Sequence, residues 1–253
     1  MVVLKSQWEI ARLKESNRLV AMILCRIKKK VAPGVTTLEL NRLAEELCRS
    51  YGAQPAFLGY SGYPYALCVS INEQVVHGFP SERRLKEGDI VSLDFGVKLN
   101  GYYGDAALTV CVGEVSQEAR RLVRVTRECL ERAIALARPR MRIGDISHAI
   151  QDHAEKNGFS VVRKFVGHGI GRAMHEEPQI PNFGSPGQGI EIKPGLVMAI
   201  EPMINAGTYQ VRILDDGWTA VTADGKPSAH FEHTVAVTEN GPEVLSSFEG
   251  LES

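Results

Sequence analysis

Five residues carry the chemistry open to this chain: Asp94, Asp105, His168, Glu201 and Glu232. Each sits in an apolar or glycine-rich setting. Asp94 follows Ile90-Val91-Ser92-Leu93, and Asp105 stands eleven residues later in Tyr103-Gly104-Asp105-Ala106-Ala107. His168 lies in Gly167-His168-Gly169-Ile170-Gly171, Glu201 follows Leu196-Val197-Met198-Ala199-Ile200, and Glu232 stands in Phe231-Glu232-His233-Thr234. A carboxylate in apolar surroundings is costly unless it is paired or binds a metal. Carboxylates aimed at one point repel unless one is protonated or a cation lies between them. Four carboxylates with one imidazole form an oxygen-rich donor set, which suits two divalent first-row ions bridged by carboxylates and a hydroxide. The lack of a thiolate in the set argues against a structural zinc site. Taken singly, each piece has a plainer reading: a solvated hairpin edge for the two Asp, a tight turn for Gly167–Gly171, a strand end for Glu201-Pro202. A phosphate loop is disfavoured, because there is no GxGxxG and no GK[ST].

The elements that must position these residues follow from local signals. Asn100-Gly101 is a hairpin turn signal, because a type I′ turn needs φ > 0 at both central residues. That turn pairs Leu99 with Tyr102 and Gly96 with Asp105, so Asp94 becomes the diagonal neighbour of Asp105 on one face, about 7–8 Å away at the backbone. Ser6 and Glu9 form a capping box that opens a helix ending near Lys30, with Ile10, Leu13, Asn17, Val20, Leu24 and Ile27 on one stripe. Thr36 and Glu39 open a second helix that stops near Tyr51-Gly52. A Gly/aromatic loop, Phe57 to Pro64, and strand-like text at Ala66–Asn72 and Val75–Gly78 lead to the hairpin. The same order then recurs: a helix from about Ser116 to Ala137, a helix from about Asp145 to Asn157, and strand-like segments at Ser160–Val166 and Leu196–Met203. On a strand, His230, Glu232 and Thr234 would share one face. Pro33 to Pro139 and Gly52 to Gly158 are each separated by 106 residues, and Gly88 to Gly195 by 107. Aligning 85–95 with 192–202 places Asp94 on Glu201. The expected architecture is therefore a duplicated helix–helix–sheet unit, α/β (α+β), with halves at about 6–113 and 116–245 in one domain spanning 1–253.

Composition bounds the rest. The chain has 253 residues, a net charge of −1 and 44% hydrophobic residues, enough for a substantial core and without a long-range field for nucleic acid or anionic membrane. Five cysteines without a CxxC pair argue for a reducing compartment rather than a disulfide framework. No apolar run reaches 18 residues and no secretory leader is recognisable, so the expectation is a soluble, cytoplasmic protein.

The order Asp…Asp…His…Glu…Glu and the words LDFG, YGDAA, GHGIG, IEP and FEHT resemble the type I methionine aminopeptidases, metallopeptidases of the pita-bread fold. The resemblance runs from about Gln7 to Leu245 and covers all five ligand positions and two flanking histidines. It implies a central antiparallel sheet with helices on one side. It implies that Asp94 binds one of two divalent ions, that Asp105 and Glu232 bridge both, and that His168 and Glu201 complete the second. Co²⁺, Mn²⁺, Fe²⁺ and Zn²⁺ all suit such ligands. Two cations acidify a bridging water and supply hydroxide at neutral pH. The resemblance further implies that His175 hydrogen-bonds substrate and supports the tetrahedral intermediate, that His77 lies near the scissile amide, and that Glu201 carries the proton to the leaving amine.

A methionine side chain wants an apolar slot with aromatic and sulfur neighbours. Tyr60, Tyr63, Cys68 and Trp218 stand where the family lines such a slot. Phe57 and Met174 stand where the bacterial pattern often has a cysteine and an aromatic. His148 and His153 are expected to be ordinary residues of a helix, and His230 and His233, which flank Glu232, to be structural or to support the ligands from outside their shell. The implied activity is removal of the initiator methionine from nascent chains at the ribosome when residue two is small, by a monomeric enzyme of bacterial type. The chain's own Val2 then makes Met1 a substrate. A prolidase or aminopeptidase P acting on X-Pro bonds shares the five ligands but usually adds an N-terminal domain. A metal-free pita-bread binding module would lose ligand positions, and this chain keeps all five.

Overall fold

The structure is a computed structural model and describes residues 2–251; the expected removal of Met1 falls outside them. The described residues form four α-helices: α1 Gln7–Lys28, α2 Thr37–Ser50, α3 Gln117–Leu136 and α4 Ile143–Lys156. Capping boxes at Ser6/Glu9 and Thr36/Glu39 start α1 and α2, satisfying amide groups that the first turn leaves without partners. Helix α4 begins two residues before the expected Asp145. Asp145 is its third residue, and it accepts the Arg142 amide at 2.7 Å. No helix among the described residues is long and apolar enough to cross a membrane.

A nine-stranded antiparallel sheet forms the centre. Leu67–Ile71 pairs with Ile90–Leu99, which turns at Asn100-Gly101 and pairs with Tyr102–Cys111. Asn100 and Gly101 take φ of 51° and 83°, and the register is the expected one, Leu99 opposite Tyr102 and Gly96 opposite Asp105. Tyr102–Cys111 then pairs with Glu232–Thr238, Glu232–Thr238 with Val197–Ile200, and Val197–Ile200 with Gly167–Gly169. The order is thus mirrored about the Tyr102–Cys111 and Glu232–Thr238 pair. Leu93, Phe95 and Leu108 pack with Leu19, Ile23 and Leu40 of the first two helices. Met198, Ile200 and Val235 pack with Leu122, Cys129 and Ile150 of the second two. Because side chains alternate along a strand, the residues between these face away from the helices.

Two expected strands are interrupted. Ser160–Val166 keeps only Ser160–Val161 as strand. Leu196–Met203 divides into Val197–Ile200, in the large sheet, and Met203–Asn205, which pairs with Ser228–His230 in a separate sheet of three strands. Glu201-Pro202 is the corner between them, where proline's missing N–H interrupts the ladder. The return crossing lies at Phe231, between His230 and Glu232. His230 and Glu232 therefore do not share one strand face, as expected from sequence, but flank a bend. The two corners are tied by the Phe231 amide donating to the Pro202 carbonyl at 3.3 Å.

Helix α1 lies directly against the hairpin. A Cβ on Gly104 would sit 2.7 Å from the Ser16 carbonyl carbon and 2.8 Å from the Asn17 nitrogen. Asn17 in turn accepts the Asp105 amide at 3.1 Å through its side-chain oxygen. Gly104→Ala must push backbone from backbone, so it is expected to destabilise the fold by about 1–3 kcal/mol and to weaken divalent-metal binding at Asp105. Thermal unfolding and metal titration calorimetry measure both, and an unchanged melting temperature would contradict the packing argument.

Candidate active site

One row across the large sheet carries most of the expected site. Cys68 is opposite Asp94, Asp94 is opposite Ala107, and Ala107 is opposite Glu232. Glu201 stands one residue beyond the His233–Ile200 pair, which sets it beside Glu232. Asp105 is two residues from Ala107, and His168 is opposite Ala199, two residues from Glu201. Steps of two keep side chains on one face, so all five candidate ligands converge although they come from four strands and a corner. Ligand atoms of Asp105, His168 and Glu232 lie within 4.8 Å of one another. Asp94 and Glu201 are outside that tightest trio but line the same cavity, which has a volume of about 220 Å³.

Burial dominates the electrostatics. Asp105, His168 and Glu232 are buried, while Asp94 and Glu201 are partly so. Burial raises the Asp94 carboxyl to about 7. It raises Asp105 well above the carboxylate range, reinforced by the charges of Asp94 and Glu201. Glu201 and Glu232 are raised well above it for the same reasons. Asp94 Oδ1, Asp105 Oδ1 and Glu232 Oε1 are buried without a hydrogen-bond partner.

His168 points to the missing partner. Its Nδ1 is 2.9 Å from the Gly169 carbonyl, and a carbonyl only accepts, so Nδ1 carries the proton. Burial lowers its pKa to about 3, so the ring is neutral and Nε2 presents a lone pair. That lone pair faces Glu201 Oε1 at 3.6 Å and Asp105 Oδ2 at 3.9 Å. Lone pairs facing one another at such spacing, with bare carboxylate oxygens beside them, fit a divalent cation, and a ligating histidine characteristically donates its other N–H to a carbonyl. His230, expected to be structural or to support a ligand, is buried and neutral beside this set, with Nε2 3.7 Å from Glu201 Oε2. His233 points elsewhere and bonds Ser246 Oγ at 2.9 Å through Nδ1, and His153 pairs with Glu128 at 2.7 Å.

The expected substrate-binding residues line the same cavity: Phe57, Tyr60, Tyr63, Cys68, His77, Met174, His175 and Trp218. Tyr63 is fixed from below, its hydroxyl donating to Gly78 O at 3.1 Å and Leu67 O at 3.3 Å, and it packs edge-on against Trp218. His77 has a φ of 61°, a costly conformation for a residue with a Cβ. Gly78 after it lies so close to Val69 that a Cβ would be 2.3 Å from the Val69 carbonyl oxygen. The His77 ring stands edge-on to Phe165 and Trp218, and burial lowers its pKa to about 4. Met174 and His175 sit on a loop braced by Glu176, which takes the buried Lys5 ammonium and the Ala173 amide. Sequence reading missed Ser61 as a lining residue; its only signal is its place in the Gly/aromatic loop.

The chain matches the model of metallopeptidase family M24 over residues 11–239. It is 53% identical over 246 residues to a methionine aminopeptidase of Clostridium perfringens, covering 97% of this chain and 99% of that one. It is 49% identical to methionine aminopeptidase 1 of Bacillus subtilis, with the same coverage. Among solved structures, methionine aminopeptidase from Thermotoga maritima superposes with a TM-score of 0.96 at 49% identity, covering 98% of this chain and all of that one. Prolidase from Pyrococcus furiosus shares the pita-bread fold with a TM-score of 0.80 at 23% identity, and this chain spans 66% of it.

Raised carboxyl pKa values make a stability prediction. Below about pH 4, the usual carboxylate range, these carboxyls are protonated in both folded and unfolded chains. As pH rises through about 7 the folded Asp94 must lose a proton that the unfolded chain gave up earlier, so folded stability falls. Chelated protein is expected to lose melting temperature between pH 5 and 8, and added Mn²⁺ to raise it more at pH 8 than at pH 5, because metal competes with protons. A Mn²⁺ increment that is larger at pH 5 would contradict the assignment.

Proposed function

The chain belongs to metallopeptidase family M24, and we propose that it removes the N-terminal methionine from polypeptides whose second residue is small. The observation that carries the reading is the sheet row that brings four carboxylates and the Nε2 lone pair of His168 to one wall of a cavity whose other walls are mostly apolar and aromatic, with His77 and His175 among them. Asp94, Asp105, His168, Glu201 and Glu232 would hold the divalent metal, with Asp105, His168 and Glu232 offering the closest-set ligand atoms. Bound there, divalent metal supplies Lewis acidity for the peptide carbonyl and a nucleophile at neutral pH.

The remaining work falls to the chain's own residues. Phe57, Tyr63, Cys68, Met174 and Trp218 enclose the methionine side chain and exclude water from it. His175 donates a hydrogen bond to the carbonyl oxygen as it gains negative charge, and a donor already aimed at that oxygen needs no reorganisation during reaction. His77, held neutral by burial, lies beside the scissile amide. Glu201 moves a proton from the attacking water to the departing amine, a role open to a carboxyl whose pKa burial and the Asp94 charge raise well above the usual carboxylate range. A bulky second residue clashes at the cavity mouth. The substrates in the cell are nascent chains emerging from the ribosome, and the enzyme acts as a cytoplasmic monomer.

Purified protein with Mn²⁺ or Co²⁺ is expected to release methionine from Met-Gly-Met-Met, to leave Met-Leu-Met-Met nearly untouched, and to leave an X-Pro dipeptide intact. Cleavage of the X-Pro peptide alone would replace this reading with that of a dipeptidase. His175→Ala is expected to lower kcat by about 100- to 1,000-fold, the cost of one lost oxyanion donor, with metal content by atomic emission unchanged. Loss of metal instead would make His175 a ligand.

A further inference from the structure

His175 and His168 are neighbours, with ring centroids 4.2 Å apart, yet their Nδ1 atoms meet partners of opposite kind. His168 Nδ1 faces a carbonyl, the Gly169 oxygen at 2.9 Å. His175 Nδ1 faces the Tyr60 hydroxyl at 2.7 Å. We propose that the Tyr60 hydroxyl is a positioning group that donates to His175 Nδ1, so that Nε2–H of His175 is the donor presented to the substrate, while His168 is held in the opposite tautomer with a bare Nε2. A phenol is a better donor than an imidazole N–H, and an imidazole nitrogen is a better acceptor than a phenol oxygen, so this direction is the favoured one. A side chain bonded to one ring nitrogen settles the tautomer and the aim of the other.

The local backbone supports the assignment. Tyr60 sits in a tight turn with Gly59 at φ 82°, Ser61 at 49° and Gly62 at 90°. Ser61 carries the strain of a left-handed residue with a Cβ. The Gly59 amide donates to Tyr63 O at 2.7 Å, closing the turn onto the anchored Tyr63. On the other side, the His175 loop is clamped by Glu176, Lys5 and the Gly171 carbonyl, which accepts the Tyr103 amide at 2.9 Å. Two braced loops, one from each half of the chain, thus hold a single hydroxyl–imidazole contact. Tyr60 acquires a role beyond lining the methionine slot, and the proposal rests on the donor role given to His175 above.

The test is nitrogen-15 NMR of histidine-labelled protein with Zn²⁺ added, together with steady-state kinetics of Tyr60→Phe. His175 resonances are identified by their loss in His175→Ala. In the wild-type protein, proton-coupled nitrogen is expected at Nε2 of His175 and at Nδ1 of His168. Tyr60→Phe keeps the ring and removes the bond. It is expected to leave the His168 pattern intact, to let His175 populate both tautomers, and to lower kcat by about 10- to 100-fold, the scale measured when a metal-bound histidine loses the partner that orients it. KM for Met-Gly-Met-Met should stay within about twofold, because a bond that orients a donor acts on kcat rather than on ground-state binding. Protonated Nδ1 on His175 in the wild type would overturn the proposal, as would Tyr60→Phe with unchanged kcat or an unchanged His175 pattern. If wild-type protein releases no methionine, the functional reading fails, and the NMR pattern still decides the tautomer.

Discussion

Crowding of like charge on one wall of a sheet is the constraint on which the rest depends. Four carboxyls stand within two residues of a single row, largely removed from water; among the described residues no Lys or Arg pairs with them, and the imidazoles beside them, His168 and His230, are held neutral by burial. Such an arrangement persists only with protons or cations between the oxygens. The scaffold meets this by satisfying the main chain around the acids while leaving the side-chain oxygens bare. The Asp105 amide donates to Asn17, and its carbonyl accepts from the Thr234 hydroxyl at 2.8 Å, yet Oδ1 has no partner. The backbone is therefore rigid where the side chains are needy, which is the condition for a preorganised metal site.

The histidines divide by what their second nitrogen meets. His168 gives Nδ1–H to a carbonyl and turns a lone pair to the acids. His175 meets the Tyr60 hydroxyl at Nδ1 and turns its other nitrogen away from that contact. His233 bonds Ser246 and belongs to the helix side of the sheet. The same side chain thus meets three different partners, and burial lowers the pKa of each.

Most of the hairpin was legible in the sequence, since Asn100-Gly101 sets the register and the register sets which face Asp94 and Asp105 share. The capping boxes of α1 and α2 were legible for the same reason: three residues decide each. The kinship of Asp94 and Glu201 was readable from the repeat, and the mirrored sheet order agrees with it. The failures lie where the chain leaves one sheet for another. Glu201-Pro202 and Phe231 look like strand interior by composition, because the apolar text on either side is equally suited to two different sheets. Ser160–Val166 misled in the same way.

The sequence alone determined the helix starts and the hairpin turn, because each rests on residues a few positions apart whose propensities act locally, and it singled out five candidate ligands as polar residues set in apolar or glycine-rich text. The tertiary structure alone decided which atoms are left bare and which histidine nitrogen bears the proton. Those outcomes hang on contacts between Tyr60 and His175, 115 residues apart, between Asn17 and Asp105, 88 apart, and between Asp105 and Thr234, 129 apart. No local propensity encodes a partner at that distance. Only closure of the two halves around the sheet brings the hydroxyl to the imidazole and the acids to one another.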